Sequence, residues 1–459
     1  MRMRSPVALL AAAVIGVYVL VVVGATAALA DAAAACQGWP LCGGDLSTPA
    51  VLVALFHRAA AFVVGLLVLA AAAVGWSTAS RRVKAALAVA LLLYPAQAAI
   101  GAVLATGTTI ETLHLPAAMV IFGALVLALA WRLEAETGTD DAPETVPDPE
   151  PPSPVPDEGG STPSVTARSQ SLPTRLKTTA GAYFRLMKPR LMWLLCLVAG
   201  AGMVLAGTPP IRTVLLTLGG GVLAIGASGT FNHVLERDID KRMQRTADRP
   251  LATHEVPVRN ALAFGGLLTV ASLWAFLSVN LLTAALGLAA IVFYSVVYTL
   301  ILKPNTVQNT VLGGAAGALP ALIGYAAVTG SVGVSGLVLA GVIFLWTPAH
   351  FYNLALAYRD DYERGGFPMM PVVRGETETR KQIVLYLGAT LLGAGALAAV
   401  SSLGWLYALT TVLLGAVFLW AVVRLHYERS ESAAFRAFHA SNAYLGLVLV
   451  AVVVDGLAL

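Results

Sequence analysis

Long apolar runs, each near the roughly 20 residues a helix needs to cross a bilayer, dominate the chain. Thirteen can be marked. They lie near residues 6–30, 50–74, 84–105, 112–131, 191–207, 211–231, 259–278, 281–301, 309–328, 334–355, 380–400, 404–423 and 440–458. No alternating strand pattern accompanies them, so the expected fold class is an all-α polytopic membrane protein and not a barrel. Between the fourth and fifth runs the pattern stops. Residues 133–180 read as an acidic, Pro- and Ser-rich tether without apolar periodicity (Asp140-Asp141-Ala142-Pro143-Glu144, Pro149-Glu150-Pro151-Pro152). This divides the chain into a four-helix bundle over residues 1–132, a cytoplasmic linker over 133–180 and a nine-helix bundle over 181–459.

Composition agrees: 58% of 459 residues are hydrophobic and 12% charged. The apolar core of the first run exceeds that of a signal peptide, so it is kept as a span. With the N-terminus inside, the basic clusters at 81–84, 237–259, 359–381 and 424–436 all fall on the cytoplasmic side of a cell membrane. The net charge of +4 therefore reflects loop placement and does not argue for nucleic acid as a partner. Of three cysteines, Cys36 and Cys42 share an outer loop where a disulfide can persist, while Cys196 lies inside a span.

The chemistry concentrates in Phe231–Met243, which crowds acids and bases onto the end of the sixth run. At about 100° per residue, Asn232, Glu236 and Asp240 share one helical face. Oxygen donors one turn apart suit Mg²⁺, which binds one or two carboxylates and substrate phosphates; the alternative is a solvated, salt-bridged loop. A second charged stretch follows the tenth run, with Asn353 and Asp361 eight apart like Asn232 and Asp240, and Asp360 beside them. Two acidic patches at equivalent points of a repeat favour one shared cavity. With Lys241, Arg245, Arg249 and Lys303 nearby, they suit a diphosphate bridged by metal ions, and the apolar bundle suits a carbocation left when that diphosphate departs.

Asn232-x3-Glu236-Arg237-Asp238-Ile239-Asp240-x2-Met243-x-Arg245-Thr246-x2-Arg249-Pro250-Leu251 resembles the UbiA-type membrane prenyltransferases, and within them the members that farnesylate haem. So do Tyr298-Thr299 with Leu302-Lys303, Gly313–Pro320, Trp346-Thr347-Pro348-Ala349-His350-Phe351, and Asp360-Asp361-Tyr362 through Val373. The resemblance spans nearly all of the second bundle. It implies that Asn232, Glu236 and Asp240, with Asp361, hold Mg²⁺ and farnesyl diphosphate, that Asp360 and Asp361 form the second acidic motif, and that His350 touches a haem B acceptor. The implied reaction joins the farnesyl group to a haem vinyl group. The same diphosphate machinery with an aromatic or lipid acceptor is the alternative within the class.

In the first bundle, His57 on the second span and His114 on the fourth lie toward the outer end. Two imidazoles in a four-helix bundle can hold a haem iron, or can be hydrogen-bonded packing residues. Cys36-Gln37-Gly38-Trp39-Pro40-Leu41-Cys42, Phe56-His57-Arg58 and His114-Leu115-Pro116-Ala117-Ala118 look like one half of a haem A synthase. That family has two such halves and usually an acid where this chain has Ala54. The resemblance implies a haem-holding or partner-docking bundle, with a haem A synthase or a terminal oxidase assembly as candidate partner. Two other classes remain. An electron-transfer cytochrome accounts for the histidines but not for the acids of the larger bundle, and a secondary transporter would place its polar groups at mid-depth and not at the membrane edge.

Overall fold

A computed structural model describes residues 5–29, 36, 38–40, 45, 47–104, 111–138 and 172–458. Among the described residues there is no strand, and thirteen helices are long and apolar enough to cross a membrane, matching the apolar runs one for one. The chain is a multi-pass membrane protein. Its first four long helices are α1 (Ser5–Leu29), α2 (Pro49–Gly75), α3 (Arg81–Leu104) and α4 (Glu111–Thr137). A shorter α5 (Leu172–Leu186) leads into α6 (Pro189–Ala206), α7 (Ile211–Asp240), α8 (Val258–Leu277) and α9 (Leu281–Val292). Then follow α10 (Asn309–Thr329), α11 (Val334–Ala357), the short α12 (Arg359–Arg364) and α13 (Met370–Val373), and the closing helices α14 (Gly375–Val400), α15 (Trp405–Glu428) and α16 (Glu431–Ala458).

Both ends of the expected 133–180 tether are helical, which corrects its boundaries. Residues 133–137 complete α4, where Arg132 and Glu136 pair at 2.6 Å one turn apart. Helix α5 forms because Ala182 and Leu186 have a buried apolar surface to meet, made by Leu251, Val256 and Ala261. The acidic stretch between them lies outside the described residues.

The first bundle packs on the second through α1 and α4, which lie against α14 and α15. One apolar core runs through both, from Val14, Val21 and Leu125 to Leu387, Phe418 and Val448. Polar groups cross the same junction. The Tyr18 hydroxyl on α1 meets Thr411 Oγ1 at 2.8 Å, and Thr411 meets the Tyr444 hydroxyl at 3.2 Å. At the charged end Lys381 pairs with Glu134 at 2.7 Å, and Arg429 donates to the Thr137 carbonyl. Exposed Leu, Phe and Trp side chains on α2, α3 and α8, such as Phe62, Leu92 and Trp274, present the apolar exterior that lipid requires.

Within the second bundle α6 and α10 approach closely. A Cβ on Gly324 would stand 2.0 Å from the Ala199 carbonyl oxygen, and one on Gly202 would stand 2.3 Å from that of Ala321, so only glycine permits this spacing. After Val292, α9 widens into a π-helical stretch over Phe293–Leu302 before a last turn at Lys303–Asn305. Such widenings are frequently found at functional sites.

Candidate active site

Helix α7 runs unbroken through Asp240, nine residues past the apolar run, because its charged last turns pair with cations instead of facing lipid. Asn232, Glu236 and Asp240 accordingly share one face and are all buried. Lys303 Nζ meets Glu236 Oε1 at 2.5 Å. Arg249 Nη1 lies 2.8 and 2.9 Å from the two Asp240 oxygens and 3.5 Å from Glu236 Oε2. Both carboxylates thus converge on a single cationic nitrogen.

Arg249 returns to α7 because the turns from Lys241 to Val256 are anchored by apolar residues at both ends. Met243 is buried with Tyr362, Phe367 and Met369, and Leu251 with Leu186 and Val256. The Thr246 hydroxyl also donates to the Asp240 carbonyl, at 3.1 Å. The motif residues between the acids and the arginine therefore fix where the guanidinium stands.

Sequence reasoning missed Lys188. Its ammonium donates to Asn232 Oδ1 and, at 3.2 Å, to the Tyr294 hydroxyl. Two local features bring it there. Lys188 adopts a left-handed backbone conformation (φ 55°) between α5 and α6. Gly229 leaves room for that turn, since a Cβ there would stand 2.9 Å from the Leu186 carbonyl oxygen. Burial, with the nearby Arg249 charge, pushes the Lys188 ammonium down to about 7 against the pull of Glu236 and Asp240. An incoming anion would hold its proton in place.

The π-helical stretch supplies the rest of this wall. In an uninterrupted α-helix Tyr294 and Lys303 would lie on opposite sides, at about 100° per residue. The wider turn, marked by the Thr299 hydroxyl donating to the Tyr294 carbonyl at 2.8 Å, brings both to α7. Thr299 Oγ1 in turn accepts from Asn232 Nδ2 at 3.1 Å. Behind this polar cluster a narrow apolar cavity runs between Leu191, Leu195, Ala224, Phe276 and Ile323, with Lys188 and Tyr294 at its polar end.

The remaining expected residues stand elsewhere. Lys241 is on the exposed side, pairing with Asp238 at 3.3 Å. Arg245 donates to the Tyr362 hydroxyl at 3.2 Å and lies over the Tyr358 and Tyr362 rings. Asp361 accepts the backbone N–H groups of Gln244 (2.7 Å) and Arg245 (3.3 Å) and pairs with Arg364 at 2.9 Å. Burial raises its carboxyl, but these donors outweigh that and hold it below the usual carboxylate range. Asp360 is exposed.

The expected metal set of Asn232, Glu236, Asp240 and Asp361 is therefore not gathered. Among the described residues no three His, Cys, Asp or Glu converge for a metal ion. The physical reason is a break at Tyr358 (φ −118°, ψ 31°): an eight-residue spacing shares a face only on a continuous helix, and α12 starts afresh. The two acidic patches meet instead across the 241–249 turns, Asp361 on one side and Asp240 on the other.

His350 stacks between Trp346 (centroids 4.2 Å apart) and Phe438 (4.4 Å), with Nδ1 2.6 Å from Ser441 Oγ. Both ring faces are covered, so a porphyrin cannot stack on it. In the first bundle, Nδ1 of His57 and of His114 are buried without a hydrogen-bond partner. Each ring abuts a glycine: a Cβ on Gly24 would stand 3.2 Å from His57, and one on Gly101 3.3 Å from His114. Arg58 ties the neighbouring loop down through the carbonyls of Cys36, Gly38 and Pro40. Cys36 is disulfide-bonded and Cys196 free; Cys42 lies outside the described residues.

The model of the UbiA prenyltransferase family matches residues 193–446. The chain belongs to this family. Within the UbiA prenyltransferase family it is 75% identical over 458 residues to protoheme IX farnesyltransferase 1 of Natronomonas pharaonis, with 100% of both chains covered. Protoheme IX farnesyltransferase 1 of Saccharopolyspora erythraea is 48% identical over 280 residues, covering 60% of this chain and 89% of that one. A solved structure from work on digeranylgeranylglyceryl phosphate synthase in membranes superposes with a TM-score of 0.52 at 15% identity, over 61% of this chain and 100% of that one. That likeness shows a shared fold.

Proposed function

We propose that the chain transfers the farnesyl group of farnesyl diphosphate to a vinyl group of haem B, giving haem O. The observation that carries this reading is the cluster of Lys188, Lys303 and Arg249 with Glu236, Asp240 and Asn232, which Lys188 joins to the polar end of an apolar cavity. The full-length relative's name supports the acceptor and the donor. Lys188, Lys303 and Arg249 would bind the diphosphate, and the apolar cavity would take the isoprenoid chain and exclude water from it.

The allylic C–O bond breaks with its electron pair leaving on diphosphate, whose developing charge the three cations stabilise. The terminal vinyl carbon then bonds to the farnesyl carbon, and the cation left on the adjacent vinyl carbon takes water and loses a proton. The product is a hydroxyethylfarnesyl substituent. Asn232, Glu236 and Asp240 fit one Mg²⁺, because two carboxylates already converge on one positive charge and need only water and phosphate oxygens to complete an oxygen shell. Bound there, the ion would add charge neutralisation of the leaving group. Any contact of His350 with the acceptor would be at the ring's edge, since Trp346 and Phe438 stack on its faces. Positive-inside loops support an active site facing the cytoplasm.

The first bundle is read as a haem-holding unit over residues 1–132, and residues 181–459 as the prenyltransferase proper. The Saccharopolyspora alignment, about as long as 181–459, supports the division. Two imidazoles whose Nδ1 atoms are buried without a hydrogen bond suit haem iron as donors.

The activity is tested by incubating membranes containing the chain with haem B, farnesyl diphosphate and Mg²⁺. Mass spectrometry should show haem gaining a farnesyl group and one hydroxyl. Unchanged haem, with farnesylation of an added aromatic or lipid acceptor instead, would refute the acceptor.

A further inference from the structure

A second cavity, of about 610 Å³, opens beside the active site on the far side of the 241–249 turns. Its size suits a drug-sized or larger ligand. Its wall mixes apolar Leu356, Ala357, Leu425 and Ala434 with five arginines. Three of those arginines are already engaged: Arg364 with Asp361, Arg380 with Glu376 at 3.0 Å, and Arg429 with the Thr137 carbonyl. The other two are less fully paired. Arg245 makes no ion pair among the described residues and is held flat over Tyr358 and Tyr362. Arg359 reaches Glu376 only at 4.0 Å, and its Nε is buried without a hydrogen bond. A buried guanidinium nitrogen left unpaired costs stability unless a ligand completes it. The acids not paired here, Asp360 and Glu431, are exposed.

We propose that this cavity seats the acceptor, with Arg359 and Arg245 binding its two propionate carboxylates at the charged edge of the membrane. This rests on the haem-farnesylating reading above and adds where the acceptor lies. The ligand class follows from the wall: two arginines suit two carboxylates, and the size of the cavity suits a macrocycle that carries them. Porphyrin vinyl groups lie on the half of the ring away from the propionates, so anchoring the carboxylates at Arg359 and Arg245 turns the vinyl groups toward the opposite end of the cavity. The first bundle takes part structurally, because the Thr137 carbonyl at the end of α4 braces Arg429 in the same wall.

The test uses the full chain in neutral-lipid nanodiscs, with haem B and its dimethyl ester as acceptors. Wild-type KM should be about tenfold higher for the ester, the scale of one lost charged hydrogen bond or more, with the KM for farnesyl diphosphate unchanged. Arg359→Gln should raise the KM for haem B about tenfold and leave those for the ester and the donor within about twofold. Equal wild-type KM values for haem B and ester would overturn the proposal, and that comparison needs no variant. An equal rise for both acceptors in Arg359→Gln would also overturn it. A KM for haem B that rises in anionic-lipid nanodiscs, with haem B and ester remaining equal, would assign the arginines to a headgroup. Absence of any farnesylated product from the wild type overturns the parent activity, a result distinct from product formed without discrimination between haem B and ester.

Discussion

Asp240→Asn should lower farnesyl transfer by about a hundred- to a thousandfold, the loss expected when a preorganised electrostatic contact to a developing charge is removed. The amide keeps the shape of the side chain and loses its charge, so Arg249 is held less firmly and one of two anionic ligands for a cation is gone. Stability should fall far less than activity. Removing one partner of a buried pair is costly when the other is left alone, but Arg249 keeps Glu236 at 3.5 Å. Turnover per folded molecule, measured with product detection and a thermal unfolding scan in parallel, separates the two effects. Activity within twofold of the wild type would remove Asp240 from the active site.

His57→Ala together with His114→Ala should abolish haem retention by the first bundle. Wild-type protein supplemented with haem is expected to show the sharp Soret and visible bands of a low-spin centre with two imidazoles, and the double variant none. The change is otherwise mild, since neither Nδ1 makes a hydrogen bond that the bundle would lose. A low-spin spectrum surviving in the double variant would mean that the histidines only pack against Gly24 and Gly101. Helix α4 also sets the distance between centres. His114 is near one end of it and Thr137 near the other, a separation of roughly 35 Å at 1.5 Å per residue. Haem held by His57 and His114 would therefore lie at the opposite membrane edge from Asp240, and would serve as a structural or partner-facing group instead of the acceptor itself.

What the sequence revealed of the site depended on whether a helix continued. Asn232, Glu236 and Asp240 were legible as one face because α7 has no break between them. Asp361 was misplaced because Tyr358 interrupts the second helix, which no spacing rule detects. Lys303 could be named as a nearby cation, but its alignment with Tyr294 depends on π-helical turns that ordinary periodicity does not encode. Lys188 carried one weak signal, a lysine immediately before Pro189 at the start of a span. Its entry into the site depends on a left-handed turn and on Gly229, a tertiary coincidence. The spans themselves were readable throughout, since lipid imposes length and apolarity directly. Their charged ends were cut short in the reading because paired acids and bases lengthen α7 and α15 beyond the apolar run.

The most direct test of the donor site is a structure of the full chain with the unreactive analogue farnesyl thiodiphosphate and Mg²⁺. The diphosphate should lie within hydrogen-bond distance of Lys188, Lys303 and Arg249, with the farnesyl chain between Leu191, Ala224 and Phe276. Diphosphate bound in the Arg359 cavity, with the Lys303–Glu236 and Arg249–Asp240 pairs undisturbed, would contradict the assignment.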